Sequence, residues 1–286
     1  GAANAFTGGE FALSSGRTLT LQTGTLGGAT FTGEGIVETT GTVTLGSNKS
    51  FTHLTNSGAI ATGSNTLTLT GESTVKGTLT GTISTAEKLK AEGTSLNSGS
   101  YTGTGYIEFN NVSLVGTNVA TTGTNTVPTG KTLTLTGAAS VPNLTTSGTV
   151  ALGSNTLTLG SGTSSLGGVF TGSGTVDISG GAVTWEGTSL AGKVKLTTGT
   201  LKGNASSFST GTFEVVTAKV VEFTGEGAVG ATVSGAGSVK VNPGFGREVS
   251  YGSGTYSYTG GTTVSSGNLR VTTASKLPTS GLMTVA

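Results

Sequence analysis

The sequence predicts an all-β fold: a single right-handed parallel β-helix, or β-solenoid, occupying residues 1–286. Three observations predict it. Short strings recur at near-constant intervals, apolar residues inside them alternate with Thr, and Gly, Ser and Asn separate one string from the next.

The recurrence sets the architecture. Thr18–Leu21 reads TLTL, Thr42–Leu45 reads TVTL and Thr66–Leu69 reads TLTL, at steps of 24 residues. Thr132–Leu135 and Thr156–Leu159 repeat that step, and the string GSNTLTL stands identically at Gly63–Leu69 and Gly153–Leu159. An aromatic-Thr-Gly motif begins at Phe31, Tyr101, Phe170 and Phe223. These intervals share a unit of about 23 residues, hence about 12 coils, too short a unit for a propeller blade of about 40 to 45 residues.

The alternation sets the local structure. Leu19 and Leu21, Val43 and Leu45, and Leu157 and Leu159 are each separated by Thr. Period two means strand, with Leu and Val turned inward and β-branched Thr on the outer face. Stacked coils then pair equivalent strands in parallel about 4.8 Å apart, and the usual chirality of parallel crossovers makes the winding right-handed. Gly and Asn at Gly46–Asn48 and Gly63–Asn65 supply the turns. The helix-compatible, charged stretch Ala86–Glu92 reads as a solvated strand or loop within one coil.

Composition excludes several classes. The chain has 52 Gly, no Cys, 9% charged residues and a net charge of +1. Its surface is therefore an uncharged polar wall of Thr, Ser and Asn. The cations are scattered, so no basic stripe points to nucleic acid. No run approaches the roughly 20 apolar residues of a membrane helix, so no membrane insertion of this segment is expected. The opening GAANAF shows no initiator Met and no leader pattern, which reads as a processed or cut start. Neither end shows a charged or helical cap, which reads as truncation or as open strand edges able to polymerise.

The segment Gly254–Val271, GTYSYTGGTTVSSGNLRV, resembles the autotransporter-associated β-strand repeat, whose string Y-T-G-G-T-T-V is followed shortly by G-x-L-x-V. The resemblance extends over about 253–285, through Ala274–Leu277 and Gly281–Val285. It implies a bacterial protein secreted across an outer membrane and displayed as a β-helix at the cell surface. Such proteins end in a membrane β-barrel, and this sequence contains none.

Chemistry-bearing residues are sparse. Asp177 is the only Asp and His53 the only His. Glu38, Glu108 and Asp177 each follow an aromatic-Thr-Gly motif at one equivalent position, about three coils apart. By ladder spacing that is about 14 Å, too far for a shared glycosidic reaction. A single His and no Cys make no metal cluster, and His53 reads as a polar outward or turn residue. No catalytic, cofactor-binding or metal-ligating residue is assigned, and no cofactor is expected. Trp185, Tyr251, Tyr256 and Tyr258 are the candidate contacts for a sugar or a partner, with interior stacking as the plainer account. Asn48, Asn111, Asn143 and Asn204 open N-x-S/T triplets.

The expected role is a non-catalytic extracellular or cell-surface scaffold, adhesin or stalk, facing a host or neighbouring cell, a polysaccharide or identical subunits. The alternative is a structural fibre or sheath subunit that joins end to end through open strand edges. A polysaccharide-processing enzyme ranks last, because carboxylates are few.

Overall fold

The structure, a computed structural model, describes residues 4–187, 189–273, 276–278 and 280–286. Helical structure among these is slight, with a 3-10 turn at Ala205–Ser207. The chain is an all-β parallel solenoid of about 15 turns, about 19 residues apart.

That is more and shorter coils than the expected 12 of about 23 residues, and the look-alike strings explain the difference. Thr18–Leu21 pairs with Ile36–Thr39, whereas Thr42–Leu45 lies in another sheet beside Gly24–Leu26. The step from Thr18 to Thr42 is thus one full turn, Thr18 to Ile36, plus one side of the next. Identical strings do not stack on one another.

The chain divides into two compact units, Gly1–Val141 and Pro142–Ala286. In the first, one sheet takes a strand from each turn: Thr18–Leu21, Ile36–Thr39, His53–Asn56, Ser73–Val75, Lys88–Glu92, Tyr106–Asn110 and Asn125–Val127. In the charged stretch Ala86–Glu92 the strand is Lys88–Glu92, with Leu89 and Ala91 buried. Except for Glu10–Ala12 and Thr30–Thr32, which pair in a two-stranded sheet of their own, the other two sides belong to a second sheet. They run together in Ala59–Leu69, Thr78–Thr85 and Ser95–Gly103, with a register shift where the chain rounds the corner between Ala61 and Thr66.

Inward positions of this unit carry Leu67, Leu69, Leu79, Ile83, Leu89 and Leu96, none with measurable exposure. Burial stabilises each by about 1.5–3 kcal/mol relative to an exposed side chain. At one corner the turns approach too closely for any side chain. A Cβ on Gly58 would lie 2.1 Å from Gly41 O, and one on Gly77 1.8 Å from Gly58 O. The close approach lets Ala59 N and Thr78 N donate to those same oxygens, each at 2.8 Å.

Polar side chains continue the ladder where backbone partners run out. Thr66 N donates to Asn48 Oδ1 at 2.9 Å and Thr132 N to Asn111 Oδ1 at 3.1 Å. Asn125 is fully buried, its Oδ1 accepting from Ile107 N at 2.8 Å and Thr121 Oγ1 at 3.0 Å.

In the second unit the corresponding sheet runs Leu144–Thr146, Thr163–Leu166, Ala182–Trp185, Thr200–Asn204, Val220–Gly225, Ser238–Val241, Thr262–Val264 and Met283–Val285. A three-stranded parallel sheet, Gly227–Val229, Glu248–Tyr251 and Asn268–Val271, forms one side of the later turns. Aromatic rings fill this core. Trp185 packs 5.1 Å from Phe170 and 5.3 Å from Phe213, and Phe208 packs 4.7 Å from Phe213 and 4.9 Å from Phe223.

Candidate functional site

Most of the ionisable groups on the strands of the first unit collect on one sheet. Its outward row, read through the parallel register, is Thr20, Glu38, Thr55, Thr74, Lys90, Glu108 and Thr126. Beside it Thr18, Ile36 and His53 follow one another, as do Lys88 and Tyr106 further along. Glu34 and Glu72 lie at the turns that lead into these strands. Together they line an open groove of about 580 Å³ that includes Glu34, His53, Glu72, Lys88 and Lys90.

The lysines of the groove are paired, Lys88 across turns and Lys90 within its own strand. Lys88 Nζ lies 2.9 Å from Glu72 Oε1, and Lys90 Nζ 2.6 Å from Glu92 Oε1. The hydrogen bond and charge of Glu72 hold the Lys88 ammonium above its usual range, Glu92 does the same for Lys90, and the Lys90 bond draws the Glu92 carboxyl down. His53 Nδ1 meets the backbone carbonyl of Glu72 at 3.0 Å, so that nitrogen carries the proton. Its Nε2 stands 3.6 Å from Glu34 Oε2, a contact that becomes an ion pair when the ring is protonated. The groove can therefore offer matched charges to a polar surface.

The carboxylates singled out for glycosidic chemistry are dispersed. Glu38 and Glu108 share one row but stand four ladder steps apart, about 19 Å. Glu38 Oε2 accepts from Thr20 Oγ1 at 2.8 Å, and Glu108 Oε1 from Asn110 Nδ2 at 2.8 Å. Asp177 lies in the second unit on a different sheet, accepting from Thr197 Oγ1 at 2.6 Å. Among the described residues no three His, Cys, Asp or Glu side chains could hold one metal ion.

The four candidate contact aromatics lie inside the second unit. Trp185, Tyr251 and Tyr258 are at most 1% exposed and Tyr256 is 5% exposed. As contact residues they are corrected by this burial: alternation turns each ring toward the core. Trp185 Nε1 donates to Ser207 O at 2.8 Å. Tyr251 and Tyr256 stack at 4.0 Å, and Tyr258 Oη links Tyr251 Oη at 2.5 Å to Thr262 Oγ1 at 2.6 Å. Burial pushes all three phenols up, Tyr256 to about 12. Tyr256 and Tyr258 belong to the segment of about 253–285, of which Ala274, Ser275 and Thr279 lie outside the described residues.

The exposed aromatic is instead Phe245, at the tip of the loop 242–247, flanked by Gly244 and Gly246 at φ 98° and 75°. Sequence reasoning passed over it because a Phe in a β-rich chain reads as core. The signal that could have found it is Gly on both sides, next to Pro243. The triplet asparagines Asn48, Asn111 and Asn143 serve the ladder, each Oδ1 accepting a backbone N–H from the following turn. No family model, curated protein or solved structure matches the chain.

Proposed function

We propose that the chain is an extracellular scaffold displayed at a bacterial cell surface, an adhesin or stalk of the autotransporter-passenger kind, wound right-handed and binding its partners through surface contact. Its partners in this reading are a host or neighbouring cell, a polysaccharide or further copies of itself. One observation carries it. Apart from exposed Glu10 and buried Lys49, the strands on the other two sides of the turns in the first unit carry uncharged residues, in rows such as Thr42, Ala59, Thr78 and Ser95 or Thr66, Thr82, Ser100 and Asn118. Such a wall is suited to many weak polar contacts. The resemblance at Gly254–Val271 supports the location.

The test is retention of beads coated with the chain on surfaces bearing bacterial cells or polysaccharide. Thr68→Lys with Thr102→Lys, which places charge on the uncharged wall, should reduce retention at least tenfold. Retention equal to that of uncoated beads for the unmodified chain would end the adhesive reading.

End-to-end self-assembly is the second reading, favoured by a separate observation. Met283–Val285 pairs with Thr262–Val264, and beside it Leu282 is 78% and Val285 77% exposed. In this reading a strand of another copy pairs along Met283–Val285. Electron microscopy across a concentration series should then show filaments that Leu282→Lys with Val285→Lys abolishes. Single particles at every concentration would exclude it.

A further inference from the structure

Lys49 is the only buried charged side chain among the described residues, 6% exposed. It stands in the strand Lys49–Phe51 at an inward position, and its partner in the next turn is Leu67. A core position that the neighbouring turn fills with Leu holds an ammonium, whose burial costs free energy unless it is well bonded. The bonds come from oxygen atoms that are not carboxylates. Nζ donates to Gly27 O at 2.5 Å and Ser47 Oγ at 2.6 Å, and reaches Asn48 O at 3.4 Å. The Ser47 hydroxyl donates to the same Gly27 O at 2.5 Å. Desolvation draws the Lys49 ammonium below the usual lysine range.

A hydroxyl 2.6 Å from a buried amine, with that amine oriented by a backbone carbonyl, is the nucleophile, base and orienting group of acyl-transfer chemistry. The pair borders a cavity of about 390 Å³ lined by Gly28, Ala29, Thr30, Phe31 and Asn48, with no charge but Lys49 in its wall. The acid tied to this lining is Glu10, whose Oε1 accepts from Thr32 Oγ1 at 3.0 Å. Asn48, fixed through its Oδ1 by Thr66 N, brings amide N–H donors to the same wall.

We propose that Ser47 and Lys49 form a serine–lysine dyad that transfers a short, uncharged acyl group from an ester. Lys49 Nζ, once neutral, takes the proton of the Ser47 hydroxyl as Oγ bonds to the acyl carbon. The ester C–O bond then breaks, and the leaving alcohol takes that proton from Nζ. Water then attacks the acyl carbon and gives a proton to Nζ; the acyl C–Oγ bond breaks, Oγ takes that proton back from Nζ, and the free acid leaves with the Ser47 hydroxyl and neutral Lys49 restored. The dyad does not rest on the surface-scaffold reading and is tested without it.

The experiment treats the full chain with an alkyl fluorophosphonate and with p-nitrophenyl acetate, and maps adducts by peptide mass. One phosphonyl group on Ser47 is expected, formed at least tenfold faster than on any other serine, at a rate that rises with pH as Lys49 loses its proton. Ser47→Ala and Lys49→Arg should each abolish both the adduct and esterase turnover, since Arg keeps the charge and the donors but gives up no proton. Lys49→Leu, which copies the neighbouring turn, should fold at least as stably and be equally silent. No adduct, labelling spread evenly over serines, or wild-type labelling in either Lys49 variant would overturn the dyad.

Discussion

The two units are built from the same alternating strands and solve the same packing problem with different chemistry. The first keeps its strand charges on one sheet, apart from buried Lys49 and exposed Glu10, and leaves the rest of the other two sides uncharged. The second spreads charge over both large sheets, as Asp177, Lys195 and Glu214 in one row and Lys202, Glu222 and Lys240 in another. Their cores differ as well. Thr39, Asn56, Thr62, Ser73, Thr85, Asn110, Thr117, Thr121 and Asn125 are buried in the first, against Thr146, Ser164 and Thr262 in the second among the described residues. The first adds interior hydrogen bonds, such as Thr39 Oγ1 to Asn56 Oδ1 at 2.6 Å, to the packed rings of Phe11, Phe31 and Phe51, whereas the second fills more of its core with rings. A stacked ladder thus constrains which way each side chain points far more than what that side chain must be.

The sharpest way to break the comparison is Trp185→Ala. It removes the ring that joins Phe170 to Phe213 and should cost about 3–5 kcal/mol. Hydrogen exchange should show lost protection in residues 142–286 and little change in 4–141. Equal loss in both would mean that the two cores do not behave as separate units. Gly77→Ala comes next, at about 3 kcal/mol, because its Cβ would meet Gly58 O at 1.8 Å and the backbone must move. Urea unfolding followed in the first unit measures it.

Asn125→Leu should cost about 1–3 kcal/mol, since the Ile107 N–H is left buried without its acceptor. The second unit should tolerate Thr146→Val better, and a reversal of that order would remove the distinction between the cores. Alkaline pH probes the rings. Tyr256 titrates near pH 10 when unfolded and at about 12 when folded. The unfolded state therefore sheds its proton first, and stability present below pH 10 falls as pH rises from 10 toward 12. Near-ultraviolet circular dichroism of the tyrosines should decay over that window, and Tyr256→Phe should delay the decay. The smallest effect is expected from Glu222→Gln. Burial pushes the Glu222 carboxyl up, but the Asn242 and Lys240 hydrogen bonds outweigh it and hold it low. The partly exposed pair, 2.9 Å apart, should lose only about 0.2–1 kcal/mol, and less at high salt.

Strand, inward face and parallel stacking were legible in the sequence because alternation is a local property. Leu19 and Leu21, or Leu157 and Leu159, show it within four residues. Turn length was not, because TLTL marks any side of a turn equally well and carries no label for which side. The Trp185 and tyrosine positions were legible as interior through the same alternation, while their flat faces suggested contact surfaces. The groove at His53 could not be read, since Glu34, Glu72 and Lys88 are brought to it only by a register that string matching misassigns. The same holds for Ser47 and Lys49, whose oxygen partner, Gly27, comes from the preceding turn.

The misalignment of look-alike strings also bears on how the chain finds its native register. A parallel ladder of identical turns could slip by one turn at little cost, and every slipped form would compete with the native one. Here a slip in the first unit would set Lys49 beneath a different pair of oxygens, move Asn125 away from Ile107 N and drive a side chain into the space kept by Gly58 and Gly77. Each irregular residue acts as a tooth in a key, so that only one seating closes every bond, and the repeat is protected from its own repetitiveness.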